Sequence, residues 1–546
     1  MPSSLTSLPS LSRRRLLQLT GAGLAAGAVA GAAACSPGAT PPEDSPSGGT
    51  LTLPSYRAID TIKPDLAGDD PEIPVAFLNY PAEPVRLMSN GAPLTGGTVT
   101  AIVEASGAVP PPAASNPYWQ ELNRRLGTDL QMSVILASEY IAKFQATVAG
   151  DQLPDLAQIK PLTPKLSGLL DAKFLDLTDV LGGDQVLKYP NIAAIPTYAW
   201  KACVLDGKLR GVPFSQPLIS SGLAARIDIV TKAGLDLDLR DGDDLLDLCR
   251  QLTSAKDQRW ALQKPDRVMQ YVIAPMMGTP NTWRVDGDTF VSYYETDEFA
   301  AALAMTAQMW SEGLFHPESV SSPKGTWLTN GNTVMDQNGL TAWSLGKSQS
   351  PDPDFDLRLV RLPKWDGGGS ASVHQLNGIY TYAALKKTDD AARVDELLKV
   401  VNWLAAPFGS EEQLFRSYGI EGRHYTLNGS NPVPTEAASE TRLPTSYLGR
   451  GAPFIYTPGL ADQVKDQFDY HKEFKPTSLP LPTVGLTSET DTNKRAVIGR
   501  DIGDTMIRII TGQSTMKEWP EAVSRWKAAG GDVIAQEYAE SKQANG

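Results

Sequence analysis

GTVTAIVEA at residues 97–105, NPYWQELNRRLG at 116–127, LQMSVIL at 130–136 and DLAQI at 155–159 decide the fold of this chain. GTVTAIVEA alternates and is rich in Val, Ile and Thr, the pattern of a strand. After a Pro-rich loop, Asn116 is placed to cap a helix whose first residue is Pro117. Trp119, Leu122 and Leu126 then share one face, and Gly127 ends the helix. Residues 130–136 read as a second strand. Tyr140, Phe144 and Val148 mark a second helix stopped by Gly150, and residues 155–159 form a third short strand. A βαβαβ order predicts an open parallel sheet with right-handed crossovers. Ligands of such sheets sit beyond the carboxyl ends of the strands. Here that is the loop 106–119, together with Gln158, Lys160 and Pro161.

Downstream, helical periodicity is clearest over 243–252, 297–313, 391–405, 495–511 and 518–529. Short strands are expected at 209–214, 341–344, 357–362 and 378–385. Upstream, SRRRLLQ at 12–18 is a twin-arginine run, with Arg13 and Arg14 as the export signal. An uncharged Ala/Gly-rich stretch follows over 20–34, too short and too weakly apolar to span a membrane. Ala32, Ala33 and Ala34 precede Cys35, which suits lipoprotein processing with a diacylglycerol thioether on Cys35. Leu is usual where Ala32 stands, and the alternative is an ordinary signal cut after one of the alanines. Residues 1–34 are thus read as a twin-arginine lipoprotein signal peptide, a route that carries folded cargo. Residues 36–50, SPGATPPEDSPSGGT, cannot bury a core and behave as a tether. The Pro-rich residues 51–95 are expected to wrap the domain edge, so 35–95 is tether and irregular extension.

The chain has 546 residues. The remainder, about 450, is too long for one core and suits two lobes. A net charge of −13 argues against nucleic acid or anionic lipid as targets. With Cys35 taken by lipid, Cys203 and Cys249 either pair outside the cell or stay as buried thiols. Folding in the reducing cytosol favours thiols. His316, His374, His424 and His471 lack metal-ligand spacing, and DLDLRDGDD at 236–244 puts Arg240 at a ligand position of any calcium loop. No metal and no cofactor are expected. HExxH, GxSxG, P-loop and GxGxxG are all missing from the sequence.

Several stretches together resemble the family 1 extracellular solute-binding proteins of ABC importers, in the lipoprotein branch associated with aldouronate and pectic oligosaccharides. They are GDQLPDLAQI (150–159), DGKLRGVPF (206–214), NGLTAWSLG (338–346), RLPKWDGGG (361–369) and LNGIYTYAAL (376–385). NWLAAPFGSEEQLFRSYGIEGRHYTLNG (402–429), GDTMIRIITGQ (503–513) and WKAAGGDVIAQEY (526–538) complete the set. The resemblance implies an α/β, two-lobed, hinged periplasmic-binding-protein-like fold of type II, with doubly wound sheets in each lobe. Hinge closure on ligand is the motion of such proteins. Lobe one would be 96–212 plus 378–425, and lobe two 213–377 plus 426–546. DGKLRGVPF and LNGIYTYAAL would be the crossings, with Gly211 relieving backbone crowding and Pro213 removing a donor. The implied function is capture of a carbohydrate, an oligosaccharide that can carry uronates, for delivery to ABC permease subunits. The protein would be a lipid-anchored monomer outside the cytoplasm, and not an enzyme. A secreted carbohydrate-active hydrolase and a peptide-binding protein of the same fold are the alternatives.

Carried over, Gln158 and Lys160 line the cleft from lobe one. Trp343 offers an aromatic from lobe two, although Thr341 and Ala342 replace the family's Gly-Pro turn. Asn377 and Tyr380 lie beside the second crossing, and Phe214 and Gln216 just after the first. A sugar needs flat aromatic platforms plus a few convergent polar groups. With 11 tryptophans to choose from, Trp119, Trp200, Trp283, Trp327, Trp343, Trp365 and Trp403 are candidates, Trp403 being better suited to a core. Trp283 and Trp343, which adjoin turns, are favoured, and Trp119 with its cap Asn116 edges the first loop. A uronate needs a cation, and Lys160 or Arg423 can serve, unless Arg423 is held by Glu421. Glu104, ending the first strand, could accept sugar hydroxyls.

Overall fold

The computed structural model describes residues 51–88, 91–161, 163–321, 326–340, 346–347 and 349–545. Arg13, Arg14, Cys35, Trp343 and the strand expected at 341–344 lie outside the described residues. The opening order is as expected: β1 (Thr98–Ala105), α1 (Pro117–Leu126), β2 (Asp129–Leu136), α2 (Tyr140–Ala149) and β3 (Leu156–Ile159). β1 runs parallel to both β2 and β3. The chain continues through β4 (Val212–Ser215), β5 (Ser221–Arg226), α3 (Gly242–Leu252), α4 (Asp297–Ser311), β6 (Met335–Gly339), β7 (Leu357–Leu359) and β8 (Ile379–Leu385). Helices α5 (Ala391–Leu404), α6 (Glu411–Tyr418), α7 (Ala461–Phe474), α8 (Glu489–Ile510), α9 (Trp519–Trp526) and α10 (Asp532–Asn545) follow.

Two sheets carry two lobes. The first sheet has the order β2-β1-β3-β8-β4, with β8 antiparallel to both neighbours. The second has the order β6-β5-β7 and is antiparallel throughout, so the doubly wound sheet expected in each lobe is replaced by a mixed sheet in the first and a small antiparallel one in the second. The chain leaves the first sheet after Ser215, joins the second at Ser221, and returns from β7 to β8. These are the two crossings that DGKLRGVPF and LNGIYTYAAL foretell. Pro213 lies on β4 at the sheet edge, where a strand tolerates a missing donor. A Cβ on Gly211 would stand 2.6 Å from the Ala383 carbonyl, so only glycine lets the first crossing lie this close to β8.

One core gathers residues of the first sheet with α1, α2 and α5, including Leu122, Phe144, Val212 and Trp403. The other packs α3, α4, α8 and α9 against the second sheet, around Leu246, Met309, Ile502 and Trp526. Leu443 and Leu448 belong to the first core, and Val212–Ser215 to the first sheet. The lobe borders therefore fall later in the chain than residues 212 and 425, because packing continues past both. Cys203 sits in the first core and Cys249 in the second, both as free buried thiols. Burial pushes the Cys249 thiol up to about 12.

Helix α8 starts six residues before the expected 495. Ser488 caps it, its hydroxyl accepting the Asp491 N–H at 2.9 Å, and Glu489 and Asp491 sit in the favourable first turn. The extension from residue 51 is irregular, as its composition requires, and it wraps. Pro54 bridges to Gly183, Val75–Ala76 pair in parallel with Phe454–Ile455, and Val85 bridges to Ser410.

Candidate functional site

The carboxyl end of β1 places Glu104 inside the protein, fully buried. Its backbone N–H donates to Gln158 Oε1 at 2.8 Å, and Gln158 Nε2 donates back to Glu104 Oε1 at 3.1 Å. The Lys160 ammonium stands 2.5 Å from Glu104 Oε2. Tyr140, from α2, donates its hydroxyl to the Gln158 carbonyl at 2.5 Å, and its ring centroid lies 5.7 Å from Lys160 Nζ. Adjacent parallel strands β1 and β3 end side by side, so their last polar side chains meet. The result is a closed acid–amide–ammonium network.

Next to that network stands an aromatic wall. Phe214 on β4 meets Tyr380 on β8 edge-on, with centroids 5.9 Å apart. Tyr447 lies 5.4 Å from Phe214 and 6.0 Å from Tyr380. Its hydroxyl is 3.3 Å from that of Ser106, the first residue after β1. Tyr380 is 43% exposed, so its ring is presented and not packed away. Burial of its hydroxyl, and then the nearby Glu104 charge, push Tyr380 up to about 12. On Phe214 lies Arg450, its guanidinium carbon 4.5 Å from the ring centroid.

Gly449 and Gly451 fix Arg450 there. A Cβ on either would come within 2.6 Å of the carbonyls of Val401 or Ala405, at the end of α5. Ser215 on β4 adds a 2.9 Å hydrogen bond to the Gly451 carbonyl. The wall opens on a cavity of about 370 Å³ lined by Tyr380 and Asn377. Pro161 and Leu205 line it from the first lobe, and Asp491 and Arg495 on α8 from the second. Asn377 also lines an adjoining cavity with Tyr198 and Lys475.

Glu104, Gln158, Lys160, Phe214, Asn377 and Tyr380 are thus brought together, with Gln216 following β4. The Gln216 carbonyl accepts from Tyr198 at 3.0 Å. Other candidates stand elsewhere. Asn116 is spent as a cap, accepting the Trp119 N–H at 3.2 Å and donating to the Glu440 carbonyl at 3.1 Å. Trp119 is core, its indole N–H satisfied by the Leu130 carbonyl at 2.8 Å. Trp283 is buried in the second core against Phe290, Trp526 and Tyr538. Trp200 and Trp403 lie in the first core, Trp365 packs on the second, and Trp327 stacks on His316. Arg423 is exposed and forked onto Glu440 at 2.8 and 3.0 Å, so its intramolecular partner is Glu440 and not Glu421. Tyr447 and Arg450 were not anticipated. Their only sequence signal is a tyrosine and an arginine set among glycines in SYLGRG, 446–451. Among the described residues no three His, Cys, Asp or Glu side chains gather to hold a metal, and no helix is long and apolar enough to cross a membrane.

The family described as bacterial extracellular solute-binding protein matches residues 120–407, more than half of the chain. The chain is 20% identical over 454 residues to the lipoprotein LipO of Bacillus subtilis, covering 78% of this chain and 88% of the relative. It is 20% identical over 458 residues to the polygalacturonan/rhamnogalacturonan-binding protein YtcQ of the same organism, again covering 78% and 88%. Among solved structures, an HMO-binding, ABC-transporter-associated solute-binding protein from Bifidobacterium longum infantis superposes with a TM-score of 0.59. It is 13% identical, and the match covers 82% of this chain and 99% of that one.

Proposed function

Since the chain belongs to the bacterial extracellular solute-binding proteins, we propose that it captures an oligosaccharide, one that can carry uronates, between its lobes and delivers it to an ABC permease. One observation carries this reading: the Phe214–Tyr380–Tyr447 wall opens through Tyr380 into the interlobe cavity. The C–H face of a sugar ring stacks on such a wall, while Asn377 and Gln216 beside it offer polar partners for hydroxyls. The polygalacturonan/rhamnogalacturonan-binding relative points to pectic chains as the ligand class. The likeness to the lipoprotein LipO supports a lipid anchor, which we place on Cys35, with the twin arginines read from the sequence as the export signal. The protein then works outside the cytoplasm as a tethered monomer. It binds and does not cleave: a glycosidase needs two carboxylates flanking one bond, whereas Glu104 beside the wall is buried and paired with Lys160 and Asp491 in the cavity is paired with Arg495.

The test is calorimetry and thermal melting of the purified protein with galacturonic-acid oligomers. A ligand that binds only the folded state adds about 2.7 kcal/mol at a hundredfold excess over Kd. A raised melting temperature with intact oligomer afterwards supports the reading. No shift with any oligosaccharide, together with bond cleavage, overturns it.

A further inference from the structure

Arg450 and Arg416 stand apart from the other deep cations of this protein. Arg210 pairs with Asp171, Arg226 with Asp228 and Asp352, Lys264 with Asp336, and Lys160 with Glu104. Among the described residues, no acidic side chain forms an ion pair with Arg450 or Arg416. Tyr198 and Tyr447 stand near Arg450, and Arg450, Tyr118 and Tyr80 stand near Arg416. Arg416 donates through Nη1 to the Gly449 carbonyl at 3.0 Å, while its Nε finds no hydrogen-bond partner there. Burial, followed by the positive charge of Arg450, lowers Arg416 to about 10. Two neighbouring cations, half-buried and without an ion-pair partner among the described residues, favour an incoming anion. Arg450 is also held firmly, between two glycines packed on the end of α5 and over the ring of Phe214.

We propose that Arg450, backed by Arg416, receives the carboxylate of a uronate unit whose ring lies on Tyr380, and so makes the site selective for acidic over neutral oligosaccharides. This rests on the oligosaccharide reading above. A planar guanidinium matches a carboxylate with two parallel hydrogen bonds, which an ammonium cannot reproduce. The assignment leaves Lys160 and Arg423 in their intramolecular pairs.

The experiment compares trigalacturonate with its carboxyl-reduced, neutral counterpart by calorimetry. The wild type is expected to prefer the acidic trimer by about tenfold or more. Arg450→Met should abolish that preference. Arg450→Lys, which keeps the charge without the fork, should retain part of it, and serves if the methionine variant does not fold. Arg423→Met should keep the whole preference. An equal affinity of the wild type for both trimers, or a preference that survives in Arg450→Met, overturns the assignment and leaves the oligosaccharide reading standing. Binding of neither trimer, with a neutral oligosaccharide of another class bound instead, overturns the assignment. Binding of no oligosaccharide at all overturns both.

Discussion

Lys160 holds its ammonium 2.5 Å from Glu104 Oε2, with the carboxylate fully buried and the lysine side chain 24% exposed. The asymmetry matters, because the lysine can reach water if its partner goes and the carboxylate cannot. Removing one partner of a buried pair costs about 3–5 kcal/mol, since the other charge is left uncompensated. Lys160→Met is therefore expected to destabilise the protein by about 3 kcal/mol, and Glu104→Gln by less. The double variant should recover most of the loss, because the amide at 104 can still meet Gln158. Urea midpoints of the four proteins check this, and equal losses for the two single variants would contradict it.

Arg423→Gln tests the opposite case. The pair with Glu440 is exposed on the arginine side, and exposed pairs are worth about 0–1 kcal/mol. Stability should fall by less than about 1 kcal/mol, and oligosaccharide affinity should not change. A loss of affinity measured by calorimetry would return Arg423 to the site.

The first lobe was legible because its strands and helices carry their own local signals. Alternation in β1, the Asn116–Pro117 start and the Gly127 stop are each read within a few residues, and each stands where expected. The site was half legible for the same reason. Glu104, Gln158 and Lys160 end strands of the sheet, and a parallel order brings strand ends together whatever the rest does. For the tryptophans, type alone does not say which way a ring faces. Those that are described are buried in or packed on the two cores or, as with Trp327, stacked on His316, and the wall is built from Phe214, Tyr380 and Tyr447. Tyr447 and Arg450 reach it from a segment far along the chain, placed by glycines against α5 and by Ser215, contacts that no short-range pattern encodes.

Asn116→Ala should cost about 1 kcal/mol or somewhat more, as expected for a lost helix cap. The side chain also bonds the Glu440 carbonyl, which adds to the loss. Affinity should stay at the wild-type value, because both partners of Asn116 are within the protein. Paired denaturation and binding curves check the split, and reduced affinity at full stability would be the contrary result.

Stability should depend on pH through His471. Burial lowers this imidazole to about 4, against about 6.5 in the unfolded chain. Between those values the unfolded state takes up a proton that the folded state refuses. The contribution is fully present above about pH 6.5 and is lost as pH falls towards 4, by up to about 3 kcal/mol. Burial shifts His374 in the same direction. Glu440, held at about 2 mainly by Arg423, adds its dependence only below the ordinary glutamate range, so the two windows separate. Urea midpoints from pH 7.5 to 4.5 should fall for the wild type and fall less steeply for His471→Leu. Parallel slopes would show that other groups carry the dependence.

Tyr380→Ala and Trp283→Ala should divide binding from stability. Tyr380 is 43% exposed and its ring stands against Phe214 and Tyr447. Its removal forfeits an aromatic contact worth about 0.5–1.5 kcal/mol, and should leave folding within that margin. Because its ring is the part of the wall that faces the cavity, oligosaccharide affinity should drop about tenfold or more. Trp283 is buried among Phe290, Trp526 and Tyr538, with centroids 6.0–6.2 Å away. Its truncation leaves a cavity in the second core and should cost about 3–5 kcal/mol, while the folded fraction binds normally. Calorimetric affinities corrected for active fraction, measured beside denaturation curves, decide the matter. A Tyr380→Ala protein that binds like wild type would remove the aromatic wall from the site.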